Sequence, residues 1–200
     1  MSNLKEKVDN LGEVQRLVQQ LTTKGAVSSS LREAINSGRV RLLPTTVRIR
    51  KEVGAASGEI DLLDPNQDKL VGISDFAGQK LPDGEAFIEL SKSVRFSDAA
   101  DPEKGTYKTT TPTLAHGAEV TTISNGKLIT RNSIRDFETE ANTVAIGDDV
   151  LEYDIPRFYG DGKSFEVKLK FPVGVSLPDA ASGAGNCFEV ALYGFTTQYS

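Results

Sequence analysis

His116 and Cys187, the sequence's one histidine and one cysteine, could form a catalytic nucleophile–base pair. Cys187 begins an apolar segment that runs to Phe195, and a free cysteine in such a setting is usually a small buried hydrophobic side chain. The sequence contains no G-x-S-x-G turn, no Walker-type phosphate loop and no H-E-x-x-H motif. We therefore predict that the chain is not an enzyme.

Acidic side chains are numerous enough to raise the question of a glycoside hydrolase, which needs two suitably spaced carboxylates. The sequence has no Trp and five Tyr, whereas sugar sites usually present aromatic platforms. We therefore favour a solvated acidic face for the following residues: Glu138, Glu140, Asp148, Asp149, Glu152 and Asp154.

Oxygen ligands suited to calcium are concentrated in two segments, 61–68 and 98–103. Neither segment has the spacing of an EF-hand, and Asp and Asn are common in turns because their side chains hydrogen-bond to the backbone. We expect no cofactor. Calcium stays the one alternative, with these candidate ligands: Asp61, Asp64, Asn66, Asp68, Asp98, Asp101 and Glu103.

Charge is distributed unevenly along the chain, whose formal net charge is −5. Residues 1–51 contain ten Lys and Arg against four acids, whereas 52–200 contain 13 basic and 24 acidic residues. The two parts therefore face different surroundings, unless the basic segment is simply solvated. The local basic cluster could meet phosphate, lipid headgroups or an acidic patch on a neighbouring subunit; its members are Arg39, Arg41, Arg48 and Arg50.

The N-terminal segment is predicted to be a helical arm, residues 1–39. Apolar residues recur at spacings of three and four over 3–22, which predicts an amphipathic helix. Ser30 and Glu33 match a capping box, and Gly38 is placed to stop a second helix over 31–37. The apolar stripe must be buried on the chain's own body or on a neighbouring copy; the residues expected to make this contact are Leu4, Val8, Leu11, Val18 and Leu21.

From Val40 onward the apolar period changes to two, which is typical of strands. Asn125-Gly126 between alternating segments predicts a hairpin, and the alternation over 163–171 predicts a strand with one buried face. The apolar segment 187–195 predicts a central or covered strand. Further short strands are predicted at 59–63, 69–74, 85–91, 93–97 and 105–110.

Eight or nine short strands separated by turns, with little helix after residue 38, define the expected fold class. We predict a mainly β chain with a short α-helical N-terminal arm. The body, residues 40–200, is predicted to be an antiparallel β-sandwich or jelly roll.

The chain resembles the small single jelly-roll coat proteins of tailless viruses and phages. The resemblance lies in the basic helical arm, the run of short strands from Val47 to Phe195, and the apolar last strand, FEVALYGF. In such families the jelly roll builds the shell, and the arm reaches under neighbours, toward the genome or toward an internal membrane. This arm lacks the dense Arg runs of many RNA-virus coats, which favours contact with protein over packaging of the genome.

The resemblance implies a virion structural protein, a capsid component that is made in the host cytoplasm and self-assembles through its arm and sheet edges. Its expected partners are copies of itself and other virion proteins, with weak, non-specific contact to nucleic acid or membrane headgroups through the basic arm. The alternatives are another phage assembly or adhesion module (tail tube, decoration protein or fibre head) and a carbohydrate-binding β-sandwich.

Overall fold

The computed structural model describes residues 11–55, 57–66, 68–70, 73–75, 78–108, 112–137, 150–177 and 184–199, with only the backbone described for 11–15. Two helices, α1 and α2, come first, and eight strands follow in this part of the chain. The helices are α1 (Leu11–Lys24) and α2 (Ser29–Asn36); the strands are β1 (Val40–Glu52), β2 (Glu59–Asp61), β3 (Phe87–Ala99), β4 (Glu119–Ser124), β5 (Lys127–Ser133), β6 (Leu151–Tyr159), β7 (Phe165–Lys170) and β8 (Ala184–Tyr199).

The strands form two four-stranded antiparallel sheets. The first sheet has the order β1-β8-β3-β6, and the second has the order β2-β7-β4-β5. The prediction of a mainly β, antiparallel chain with a helical N-terminal segment is confirmed. The apolar segment 187–195 lies in β8, which pairs with β1 on one side and β3 on the other, as expected for a central strand.

One apolar core receives side chains from both sheets. The second sheet contributes Phe165, Val167 and Leu169, which alternate with half-buried or exposed charged residues as the sequence predicts. The first sheet contributes Phe188 and Val190 of β8 to the same core. Burying one such side chain completely stabilises the fold by about 1.5–3 kcal/mol, so this shared core holds the two sheets together.

Two prolines mark the edges of the first sheet. Pro44 lies in β1 and Pro156 in β6, and these are the two outermost strands of the sheet. A proline has no backbone N–H to donate, so within a sheet it is tolerated at an edge rather than in a central strand. The positions of β1 and β6 therefore follow from their own sequences.

The helices pack on the outer face of the first sheet, the face directed away from the second sheet. Leu17 and Leu21 of α1 and Leu31 of α2 are fully buried there, in one apolar cluster with Ile88 of β3 and Phe195 of β8. The stripe that the sequence leaves without a partner is thus buried, within the described residues, on the chain's own body. β1 begins at Val40, but the division into an arm (1–39) and a body (40–200) stays a prediction.

The helix ends differ in part from the predicted ones. The helix predicted over 3–22 is helical from Leu11 and continues to Lys24, while residues 3–10 lie outside the described part. The capping box is wrong: Ser28, not Ser30, caps α2, because its side chain accepts a hydrogen bond from the Leu31 amide. Gly38 has a φ of +69°, which confirms the predicted left-handed stop.

Turns and strand boundaries complete the comparison. Asn125 and Gly126 both have positive φ, 51° and 70°, and join β4 to β5, which confirms the hairpin. The strands predicted at 85–91 and 93–97 are one strand, β3, with a register irregularity between Glu89 and Ser91. In the described parts of 69–74 and 105–110, isolated bridges replace the predicted strands.

Candidate functional site

Asp161, in the turn after β6, ties the helices to the body. Its carboxylate accepts hydrogen bonds from the Ser28 hydroxyl at 2.6 Å, the Ser28 amide at 2.8 Å and the Gly84 amide at 3.0 Å. Burial by itself would raise the pKa of Asp161, but these hydrogen bonds outweigh it and lower the pKa below the ordinary value. One ionised side chain therefore anchors the residue that caps α2.

The connection between α1 and α2 also approaches the body closely at Gly160. A Cβ atom at Gly160 would lie 2.2 Å from the Gly25 carbonyl oxygen and 2.8 Å from that of Ala26. No side chain fits in that space, so glycine is required here for the helices to reach the outer face of the first sheet.

Arg50 belongs to an ionic row across three strands of the first sheet. Its Nε lies 2.7 Å from Glu189 Oε2, and Arg95 approaches the other oxygen of the same carboxylate at 3.6 Å. The Arg50 guanidinium also lies over the Tyr107 ring, 4.6 Å from its centroid. Glu189 is 2% exposed, so these two arginines neutralise a buried carboxylate. Arg50 thus has partners within its own chain.

The other three predicted basic residues have exposed side chains. Arg39 Nε donates to the Ser37 hydroxyl, and Arg41 donates twice to the Gln198 side chain on β8. The Arg48 side chain makes no hydrogen bond or ion pair with the described residues, although its amide donates to Asp75. Arg48 projects from the outer face of the first sheet, because Val47 and Ile49 on either side belong to the core.

The apolar arm residues expected to contact a partner are divided. Leu4 and Val8 lie outside the described residues, and Leu11 is in α1 but its side chain is not described. Val18 is half-buried, and Leu21 is fully buried against the chain's own body. Contact of these residues with a partner stays a prediction, and the Leu21 side chain is not accessible for it in this conformation.

An acidic, partly apolar edge lies opposite the basic one. Glu152 and Asp154 of β6 are exposed, and Ile155 is 57% exposed. Glu152 projects from the outer face of the first sheet, because Leu151 before it packs against the core. β6 is an edge strand, so these side chains border the sheet on the side away from β1.

A second cluster, which the sequence did not predict, lies buried between the two sheets. Lys92 Nζ donates to Thr130 Oγ1 at 2.7 Å and lies 3.4 Å from Glu89 Oε1, and both charged residues are fully buried. The Tyr159 hydroxyl donates to the other Glu89 oxygen and is 3.2 Å from Thr122 Oγ1. The cluster joins β3 and β6 of the first sheet to β4 and β5 of the second.

Burial controls the protonation of this cluster. Desolvation lowers the pKa of Lys92 below its usual value, and the neighbouring Glu89 carboxylate opposes that shift. Burial, reinforced by the Glu89 charge, raises the pKa of Tyr153 and of Tyr159, so both phenols stay neutral and act as hydrogen-bond donors. With no exposed atom on Lys92 or Glu89, the cluster is suited to joining the sheets rather than to reacting with a substrate.

The sequence signal for this cluster was present but misleading. Glu89 and Lys92 are three positions apart, so strict alternation would place them on opposite faces of β3. The irregularity between Glu89 and Ser91 shifts the register and turns both side chains inward. A local pattern cannot reveal such a bulge.

Cys187 lies inside β8, as the apolar setting predicts, and is fully buried. Its thiol donates to the Ala99 carbonyl oxygen at 3.2 Å. Burial and, secondarily, the Glu52 and Asp101 carboxylates raise the pKa of Cys187 to about 11. The thiol is therefore protonated at neutral pH and lacks the thiolate character of a nucleophile.

The acids proposed for calcium are used in turns and ion pairs. Asp64 accepts from the Asn66 amide, and Asp101 accepts from the Glu103 amide, both at 2.9 Å. Asp61 pairs with Lys168. Calcium stays an alternative, and several members of the proposed acidic face lie outside the described residues: Glu138, Glu140, Asp148 and Asp149.

An open cleft of about 530 Å³ lies beside β2 and the segment 171–176. Its charged lining residues are Glu59 and Lys170, and the rest of the lining is glycine, serine, proline and apolar side chains. Glu59 is already paired with Lys168. The cleft lacks the several convergent polar groups that fix the orientation of a small ligand.

Comparisons with known proteins leave the interpretation to geometry. A scan against models of known protein families found no match, and a search of curated proteins found no significant match. Within the described residues no helix is both long and apolar enough to cross a membrane.

Proposed function

We propose that this chain is a virion structural protein, a coat component that self-assembles, and that its two sheets form a jelly-roll sandwich. The observation that carries the proposal is the set of strand pairs: β1 with β8, β2 with β7, β3 with β6 and β4 with β5. Each strand pairs with its counterpart counted from the other end, which is the pattern of one long hairpin rolled into two sheets. Eight-stranded jelly rolls occur in viral capsid domains, lectins and cupins.

The filled interior favours shell building over ligand storage. A ligand-holding jelly roll needs an opening between its sheets that is lined by convergent polar groups. Between these sheets lie the packed side chains of Phe165, Val167 and Leu169 and the fully buried Glu89–Lys92 pair. Such an interior supports a rigid building block whose function lies on its surface.

The surface supports association with protein. Both edge strands of the first sheet are exposed at charged and apolar side chains, and the chain has no Trp to form a sugar platform. The partners are copies of this chain and other virion proteins, in a particle assembled after synthesis in the host cytoplasm. No catalytic step and no cofactor are part of the proposal.

Size-exclusion chromatography with light scattering tests self-assembly directly. We expect the full chain to form defined oligomers as its concentration rises, and to dissociate as salt weakens the charged contacts. A chain that stays monomeric at every concentration and ionic strength contradicts the proposal. A glycan array run in parallel separates a coat component, which gives no hits, from a carbohydrate-binding sandwich.

A chain that begins at residue 11 tests the part of the arm that contains Leu4 and Val8. If these residues reach a neighbouring copy, we expect the shortened chain to need a higher concentration to assemble. Removing the whole arm, residues 1–39, is a poorer test, because it would also uncover Ile88 and Phe195 on the outer face of the first sheet. Any change in assembly would then report exposed apolar surface rather than a lost contact.

A further inference from the structure

The two edges of the first sheet carry opposite charge. The β1 edge presents the exposed cations Arg41 and Arg48, and the β6 edge presents the exposed carboxylates of Glu152 and Asp154. Each edge also exposes an aliphatic side chain, Leu43 on β1 and Ile155 on β6. Every copy of the chain therefore has a basic edge and an acidic edge on one sheet.

The register places the opposite charges at neighbouring levels. Thr46 pairs with Tyr193, Tyr193 pairs with Ser91, and Ser91 pairs with Glu152, so these four residues form one row across the sheet. Arg48 pairs with Ala191 in the next row on the same face. Two copies placed edge to edge with their rows aligned would bring the Arg48 of one beside the Glu152 of the other.

These charges have no ionic partner within the described residues. Arg50 and Arg95 neutralise Glu189, whereas Arg48, Glu152 and Asp154 form no ion pair with any residue that the structure describes. Exposed charges on an edge strand also prevent uncontrolled pairing of strands between molecules. That role alone does not require opposite signs at the two edges of one sheet.

The edge prolines limit how the strands can meet. Pro44 and Pro156 each remove a backbone donor from their edge, so a continuous ladder of hydrogen bonds between β1 and β6 of two copies is interrupted. Side chains must then supply specificity, and complementary charge provides it by favouring the correct edge and repelling the wrong one.

We propose that the β1 edge of one copy binds the β6 edge of the next, with Arg48 facing Glu152 and Asp154, and Leu43 near Ile155. The inference rests on the proposed self-assembly and names the surface and the partner for it. Because two different edges meet, the contact is head-to-tail, and each added copy leaves one basic and one acidic edge free. Such a contact generates rings if the rotation closes and filaments if it does not.

Charge reversal on each edge tests the contact. In Arg48→Glu the two edges repel because both are acidic, and in Glu152→Lys/Asp154→Lys they repel because both are basic. We expect either variant to raise the concentration needed for assembly on the order of tenfold or more. Lys127→Glu, a reversal on an exposed edge position of the second sheet, is the matched control and should assemble as the unmodified chain does.

Mixing the two reversed variants gives the decisive result. The acidic β1 edge of the Arg48→Glu variant then faces the basic β6 edge of the Glu152→Lys/Asp154→Lys variant. The unmodified Arg48 of the second variant faces the unmodified Glu152 of the first, so alternating copies should recover assembly. A variant that had failed to fold could not be rescued in this way. Recovery is specific to a head-to-tail contact between β1 and β6.

The outcomes separate the inference from the proposed function. If the unmodified chain assembles and the charge-reversed variants assemble equally well, the β1–β6 contact is overturned and self-assembly stands. If the variants lose assembly but the mixture does not recover it, the head-to-tail pairing is overturned. If the unmodified chain never assembles, self-assembly and the contact fall together.

Discussion

Lys92 and Glu89 form an ion pair that is completely enclosed between the two sheets, with Thr130 and Tyr159 completing their hydrogen bonds. Transferring two charges out of water is costly, and their mutual attraction offsets that cost only when both partners are present. At the residue scale this pair is therefore sensitive to the loss of one member and tolerant of the loss of both.

Lys92→Met should lower the free energy of unfolding by about 3–5 kcal/mol, because it leaves the Glu89 carboxylate buried without its cation. The double variant Glu89→Leu/Lys92→Met should cost clearly less, since no uncompensated charge remains. Urea unfolding followed by circular dichroism measures both. Lys104→Met removes one partner of another pair spaced three residues apart, with Asp101, but on the surface, and should leave stability unchanged.

Asp161→Asn tests the tie between the helices and the body. Asn keeps the size and one acceptor oxygen but loses the charge, so we expect a loss of about 1.5–3 kcal/mol at neutral pH. The folded-state pKa of Asp161 lies below the unfolded value of about 3.9, so its contribution is complete above that value. The difference between the two proteins should shrink as the pH falls through the folded-state pKa.

Asp83→Asn, on an exposed residue of the turn that precedes Gly84, is the control for that pH series. It should show little change at any pH. A constant difference between Asp161→Asn and the unmodified protein down to a pH of about 2, well below the ordinary pKa of an aspartate, would contradict the role given to the ionised carboxylate.

At the scale of elements, α1 is held by side chains that point into the outer face of the first sheet. Leu21→Ala should lower the free energy of unfolding by about 2–5 kcal/mol, because it opens a cavity beside Phe195 and Ile88. Val18→Ala, three positions earlier and half-buried, should change stability little, since alanine's better helix propensity offsets the lost contact. Equal effects of the two substitutions in urea unfolding would contradict this packing.

Local pattern was sufficient to predict much at this scale. The helical N-terminal segment, the Asn125-Gly126 hairpin and the alternation of β7 follow from short-range periodicity and turn chemistry. The cap of α2 was misplaced by two residues, because Ser28, Ser29 and Ser30 are alike in sequence and the contact of Ser28 with Asp161 decides among them. The bulge in β3 was missed because its cause lies in the packing between sheets.

At the scale of the whole molecule, strand order depends on contacts that local sequence does not encode. β1 and β8 pair although Arg48 and Ala191 are separated by most of the body, and no motif announces that pairing. The basic residues were identified from sequence, but their division into Arg50, which is ion-paired within the chain, and Arg48, which is exposed, required the structure. The acidic edge acquired meaning only when β6 was placed opposite β1.

Electron microscopy of the purified, concentrated chain tests the central claim, self-assembly as a coat component, most directly. The account predicts closed particles or rings of uniform size that disappear in the Arg48→Glu variant and reappear when it is mixed with Glu152→Lys/Asp154→Lys. Fields that contain only monomers or irregular aggregates, over the full range of concentration and salt, would contradict it.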